Sequence, residues 1–300
     1  MKINLSSLII LIFSTLFFSC SDSNDSPNEF GRLSVQLTDA PFPHDLVAEA
    51  NVTIFKIDAR YKGDVELDDS DLDDNGIIED DNNDDEGAFI TLMENEVQVN
   101  LLDLTNGITE NLLNAEVPVG SYDLVRVYVK GVNVILTDGT TYDLKVPSGE
   151  QSGIKVFIAP ELVVRGGLTA DLLLDFDVSR SFVAKGGTAD LASITGFNFK
   201  PVIKASNLST AGTLTGTVTE IVEEMTIGVE GVQVAVFNGD TQVTTTFTDV
   251  DGGYAILGLE AGFYRIEMEK EGYTLEMFND IEINAANKTE LDVEIEVMLP

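Results

Sequence analysis

The chain has 300 residues, with 52 Asp and Glu against 17 Lys and Arg and a formal net charge of −35. This excess of carboxylates excludes nucleic acid as a partner held by phosphate neutralisation, and it repels anionic lipid head groups. One Cys and one His cannot assemble a thiolate–imidazole zinc cluster or close a disulfide within the chain, while 44% hydrophobic residues supply core material for two ordinary domains.

Residues 1–19 read as an export signal: Lys2 is a short positive start, and the apolar run Leu8 to Phe18 is too short to span a bilayer. Leu16-Phe17-Phe18-Ser19-Cys20 resembles a lipobox, with Phe17 where a typical one has Leu. That resemblance implies cleavage before Cys20, acylation of its thiol and a lipid anchor. An ordinary secretory signal followed by a stray thiol is the alternative. Residues 20–30 are then a polar tether, and Ser21 directly after the cysteine fits sorting to an outer membrane. Asp22 and Asp25 fit onward transfer to the cell surface.

From residue 31 the pattern is alternation. Leu33, Val35 and Leu37 mark one strand face, and Val52 and Ile54 fall against Phe55, Ile57 and Ala59 in the next run. Further strands are expected over Val97 to Leu104, Tyr122 to Lys130, Val132 to Thr137, Thr141 to Val146, Ile154 to Ile158 and Leu168 to Phe176. Only Ile108 to Leu113 suits a brief helical turn. Short β-rich runs punctuated by Asp138-Gly139 and Gly166-Gly167 predict an antiparallel sandwich.

Five segments carry a family resemblance: Leu37 to Pro41, Val119 to Arg126, Val146 to Lys155, Leu174 to Asp177 and Lys200 to Ile203. Together they resemble the domain-of-unknown-function 4382 family of bacterial lipoproteins, which implies membership for residues 31–204 and no particular activity. Residues 205–211 read as a linker. Beyond it, Gly231 to Val236, Thr248 to Tyr254, Leu259 to Tyr264 and Glu271-Gly272-Tyr273 resemble a carboxypeptidase regulatory-like domain over residues 212–300. That implies a transthyretin-like sandwich, usually a non-catalytic spacer or binding platform, so the expected fold is all-β, two antiparallel β-sandwich domains in tandem. Gly120-x-Tyr122 and Gly262-x-Tyr264 echo each other at strand starts, where a tyrosine can bond back to its own corner.

The sharpest local signal is residues 64–86, where 13 of 23 are acidic and none is Lys or Arg. Within it Asp71, Asp73 and Asn75 offer side-chain oxygens at EF-hand spacing, Gly76 the turn, Ile77 its carbonyl and Glu79 a further contact. Asn82 stands where a bidentate Glu belongs, so weak Ca2+ binding of about 10⁻⁴ to 10⁻³ M is expected, as in extracellular modules. A solvated acidic insertion is the alternative. Asp249-x-Asp251-Gly252 has too few carboxylates for a cation and reads as a turn.

No catalytic array emerges. His44 lies in a Pro-rich loop, and neither a nucleophile elbow nor a phosphate-cradling glycine loop is present. The expectation is a non-enzymatic outer-membrane or cell-surface lipoprotein, a binding or adhesion module for an unknown protein or polysaccharide. The rival is an accessory protein that captures carbohydrate. It needs exposed tyrosines on a sheet face, because the chain has no Trp.

Overall fold

The computed structural model describes residues 29–40, 46–63, 88–147 and 151–298. Cys20, His44 and the whole predicted calcium set, Asp71, Asp73, Asn75, Ile77, Glu79 and Asn82, lie outside the described residues.

The first domain is built from β1 (Phe30–Ala40), β2 (Val47–Tyr61), β3 (Phe89–Met93), β4 (Val97–Asn100), β5 (Glu110–Pro118), β6 (Gly120–Leu136), β7 (Thr141–Asp143), β8 (Ile154–Val164), β9 (Thr169–Asp177), β10 (Phe182–Gly186), β11 (Ile194–Phe199) and β12 (Ile203–Asn207). Ten of these strands form one sheet in the order β3-β2-β6-β8-β12-β9-β1-β5, with β4 also on β2 and β7 on β6, while β10 and β11 make a separate ribbon. Alternation places Leu33, Val35 and Leu37 in a common core with Leu172, Leu174 and Phe176, all essentially sealed from solvent. Two pairings, β1 with β9 and β8 with β12, are parallel within the otherwise antiparallel sheet.

Four local expectations change, the first being the strand expected over Thr141 to Val146, which ends at Asp143. The strand expected over Val97 to Leu104 stops at Asn100, whose side chain caps a 3-10 turn at Leu101–Leu104 by accepting from the Leu102 amide. The helical turn expected at Ile108 to Leu113 is instead the start of β5, because Leu113 pairs with Val35 and tertiary pairing outweighs local propensity. The two strands expected around Gly131 are a single strand, β6, which absorbs a bulge there, with Gly131 at φ 57 and close against Thr53.

The second domain comprises β13 (Ala211–Val222), β14 (Met225–Gly228), β15 (Gln233–Asn238), β16 (Thr241–Phe247), β17 (Gly253–Glu260), β18 (Gly262–Glu269), β19 (Glu276–Ile283), β20 (Lys288–Glu290) and β21 (Val293–Glu294). One sheet centres on β13, flanked by β14, β17, β20 and β21, and the other runs β16-β15-β18-β19. Leu214, Val218, Val234, Val236, Tyr254 and Ile266 fill the space between them, giving the transthyretin-like sandwich. The expected linker 205–211 shrinks to the turn at 208–210, since β12 extends to Asn207 and β13 begins at Ala211. Among the described residues no helix is long and apolar enough to cross a membrane.

Candidate functional site

The two domains are joined through backbone groups. Asn106 sits in a left-handed turn (φ 58) just before β5, accepts a 2.6 Å hydrogen bond from the Ala255 amide and donates to the Gly253 carbonyl at 3.2 Å. Its amide also reaches Asp249 Oδ2 at 3.3 Å. Asp249 Oδ1 accepts from the amides of Asp251 and Gly253, so the Asp249-x-Asp251-Gly252 segment is the expected turn, and it forms part of the junction. On the other side Ser206 Oγ donates to the Gly258 carbonyl at 2.9 Å, and Gly258 (φ 73) lies against Leu173 and Ser206.

Beside this junction the outer face of the first sheet meets β16, and a cleft of about 390 Å³ opens between them. That volume suits a small ligand or a side-chain cluster of a partner. Strand register sets its floor: Ala205 opposes Ile158, Lys204 opposes Asp175, and Thr38 opposes Asp175 from the other flank. Phe157, Lys204 and Asp175 thus line the cleft from adjacent strands, with Lys155 two residues from Phe157 on the same face. Phe157 is 65% exposed. Val243 and Thr244 form the opposite wall.

Asp177, also in the cleft, accepts from Ser179 Oγ and from the Arg180 amide, and its Oδ2 meets Arg180 Nε at 3.2 Å. Arg180 is therefore held in place by the cap of a short helix, Val178–Ser181. Asp175 is different. Part of its side chain reaches the cleft, yet Oδ1 is sealed and finds no hydrogen-bond partner among the described residues. Burial pushes its carboxyl up to about 6; the Asp177 charge adds to the rise, and Lys204 and Arg180 oppose it. Behind it a cavity of about 20 Å³ is lined by Thr38, Asp39, Asp175 and Thr246, and the Thr246 hydroxyl is likewise sealed without a partner. A desolvated carboxylate among cations at the mouth of a cleft is the arrangement expected of a binding site.

Four of the five segments that carry the family resemblance converge here. Lys155, Asp175 with Asp177, and Val202 with Ile203 line the cleft, and Asp39 lines the cavity behind it. In the sequence Lys155 and Asp175 read as ordinary strand residues, and none of the cleft residues stands out as a site. The signal was their alternation, which puts Lys155, Phe157, Asp175 and Lys204 on the outward face of buried strands.

The architecture is thus that of a two-module all-β protein with a cleft where the modules meet. The chain belongs to the family described as domain of unknown function (DUF4382), whose model matches residues 30–201, more than half of it. A carboxypeptidase regulatory-like domain matches residues 213–296. No curated protein matches the chain significantly. Among solved structures it is similar to the minor pilin GBS52 of Streptococcus agalactiae, at 12% identity and TM-score 0.26 over 89% of this chain and 97% of that one. A chain of a type II cohesin–X-dockerin complex from Acetivibrio cellulolyticus gives 18% identity and TM-score 0.24 over 29% of this chain and 58% of that one. A putative carbohydrate-binding protein from Bacteroides uniformis gives 15% identity and TM-score 0.24 over 28% and 40%.

Proposed function

We propose that the chain is a non-enzymatic binding and adhesion module, anchored by a lipid on Cys20 to the outer membrane and facing outward, that uses the cleft between its sandwiches to hold a protein partner. The observation that carries this reading is the cleft itself, where an exposed ring, Phe157, lies beside Lys155, Lys204 and Arg180 in an otherwise strongly acidic chain. A junction made through backbone groups supports it, because a platform presented by two modules needs them held in one relation. The acidic stretch 64–86, with Asp71, Asp73, Asn75, Ile77, Glu79 and Asn82 as ligands, is proposed to take Ca2+ as a stabilising ion.

A protein partner is favoured over a polysaccharide by the aromatic inventory. All seven tyrosines are buried or half-buried, so none offers the flat exposed ring on which sugars stack. The exposed phenylalanines among the described residues are Phe30, Phe157 and Phe263, each on a different strand.

The test is adhesion of intact cells displaying the chain to protein-coated and polysaccharide-coated surfaces. Substituting Phe157→Ala together with Lys204→Ala should reduce adhesion to protein and leave the polysaccharide signal unchanged. Loss of polysaccharide adhesion alone would transfer the cleft to carbohydrate capture.

A further inference from the structure

A second surface lies on the β13–β14 hairpin, which runs past the end of the second sandwich. Its two-residue turn is Glu223-Glu224, both left-handed at φ 51 and 69, the geometry that matches strand twist. Val222 opposes Met225, Ile221 opposes Thr226 and Glu220 opposes Ile227. Paired residues share a face, and Val218 on the same side of β13 is in the core. Val222, Met225 and Ile227 therefore carry the core-facing side out into solvent, where they are 41%, 61% and 42% exposed. Tyr273 ties the base of this ridge by donating to Glu220 Oε1 at 3.1 Å, and its pairing with Val297 brings the exposed Val297 and Met298 alongside.

The ridge also has an unused strand edge. Among the described residues β14 pairs with β13 alone. The two-residue turn makes Val222–Met225 and Glu220–Ile227 the bonded pairs, so the Thr226 amide and carbonyl point away from the hairpin. No Lys, Pro or bulge guards β14, the usual devices against edge pairing. The free stretch is confined to the tip, since Gly228 closes under the Asp251 carbonyl so tightly that a Cβ would collide with it.

Charge selects the occupant. Glu220, Glu223 and Glu224 rim the ridge. A second copy would bring the same carboxylates together, and an anionic membrane surface would be repelled. We propose that the β13–β14 ridge docks an extended protein segment that alternates apolar residues and carries Lys or Arg at its ends, adding as a strand beside Thr226. Main-chain bonds at Thr226 give register, the apolar face of the ridge gives affinity, and the glutamate rim gives selection.

The test uses the full chain and two labelled peptides, KVTVTVK and EVTVTVE, followed by fluorescence anisotropy. The basic peptide should bind and the acidic one should bind at least about tenfold more weakly at low salt, the gap closing as salt screens the rim. Met225→Lys with Ile227→Lys should weaken the basic peptide about tenfold or more while leaving the melting temperature unchanged, because both side chains are already in water. The Thr226 amide should gain protection from hydrogen exchange on binding. Equal binding of both peptides, binding of neither, or retention by the double variant overturns the proposal. A dimer of the unmodified chain that the double variant dissolves would overturn it in favour of a second copy.

Discussion

Asn106 of the first domain accepts a 2.6 Å hydrogen bond from the backbone amide of Ala255 in the second, and the same side chain donates to the Gly253 carbonyl. One amide thus takes the place of a neighbouring strand at the start of β17. Its left-handed backbone is a conformation that Asn tolerates better than most residues. Replacing Asn106 by Ala would leave a part-buried amide unpaired and strain the turn, at a cost of about 1–3 kcal/mol. The loss belongs to the junction rather than to either core. Calorimetry of N106A should split one transition into two, and small-angle scattering should show a larger radius of gyration.

Tyr122 donates to the Pro118 carbonyl at 2.8 Å, and Tyr264 donates to the Glu260 carbonyl at 2.9 Å, each four residues back around a strand corner. Both hydroxyls are pushed above the ordinary tyrosine range, first by burial and then by the charge of Tyr61 and Glu260 respectively. Tyr→Phe at either position should cost about 1 kcal/mol, a typical net value for one hydrogen bond. Melting curves of Y122F, Y264F and the double variant should add, because the corners lie in separate cores.

These corners show how much of the fold was legible. The Gly-x-Tyr echo and the alternation of Leu33, Val35 and Leu37 follow from local chemistry, and they anticipated two sandwiches. The cleft was not legible for a physical reason. Lys155, Asp175 and Lys204 each read as an ordinary outward-facing residue of a strand, and only the parallel pairing of β8 with β12 and the docking of β16 bring them together. The 3-10 turn at Leu101–Leu104 was missed because its leucines continue the apolar run of β4, and only the cap formed by Asn100 ends the strand. The predicted calcium residues and Cys20 lie outside the described residues.

Asp175 makes stability depend on pH with a definite sign. Its folded value of about 6 lies above its ordinary value of 3.8, so the folded state binds more protons between those limits. Stability contributed by the protonated group is fully present below about 4 and is lost as pH rises through about 6. At roughly 1.4 kcal/mol per unit, the charged form costs the folded state about 2–3 kcal/mol at neutral pH. D175N should therefore melt higher than the unmodified chain at pH 7 and match it near pH 4. An unchanged pH profile in D175N would show that other groups carry the dependence.

The acidic stretch should make stability depend on calcium. With 13 carboxylates in residues 64–86 and no cation among them, mutual repulsion is relieved either by spreading in water or by enclosing a divalent ion. An ion bound only by the folded state adds RT ln(1 + [L]/Kd), which for about 10 mM calcium and a Kd of about 10⁻⁴ to 10⁻³ M is about 1.4–2.7 kcal/mol. For domains of this size that corresponds to a rise of roughly 3–11 °C in melting temperature. Calcium should produce the rise and magnesium should not, because magnesium requires tighter octahedral geometry and gives up water reluctantly. Asp71→Asn with Asp73→Asn should abolish it, whereas Asp249→Asn with Asp251→Asn should leave it intact, since those two carboxylates belong to a hydrogen-bonded turn. A rise that survives D71N/D73N would place the ion elsewhere in the chain. Equal rises with calcium and magnesium would point instead to general screening of the negative charge.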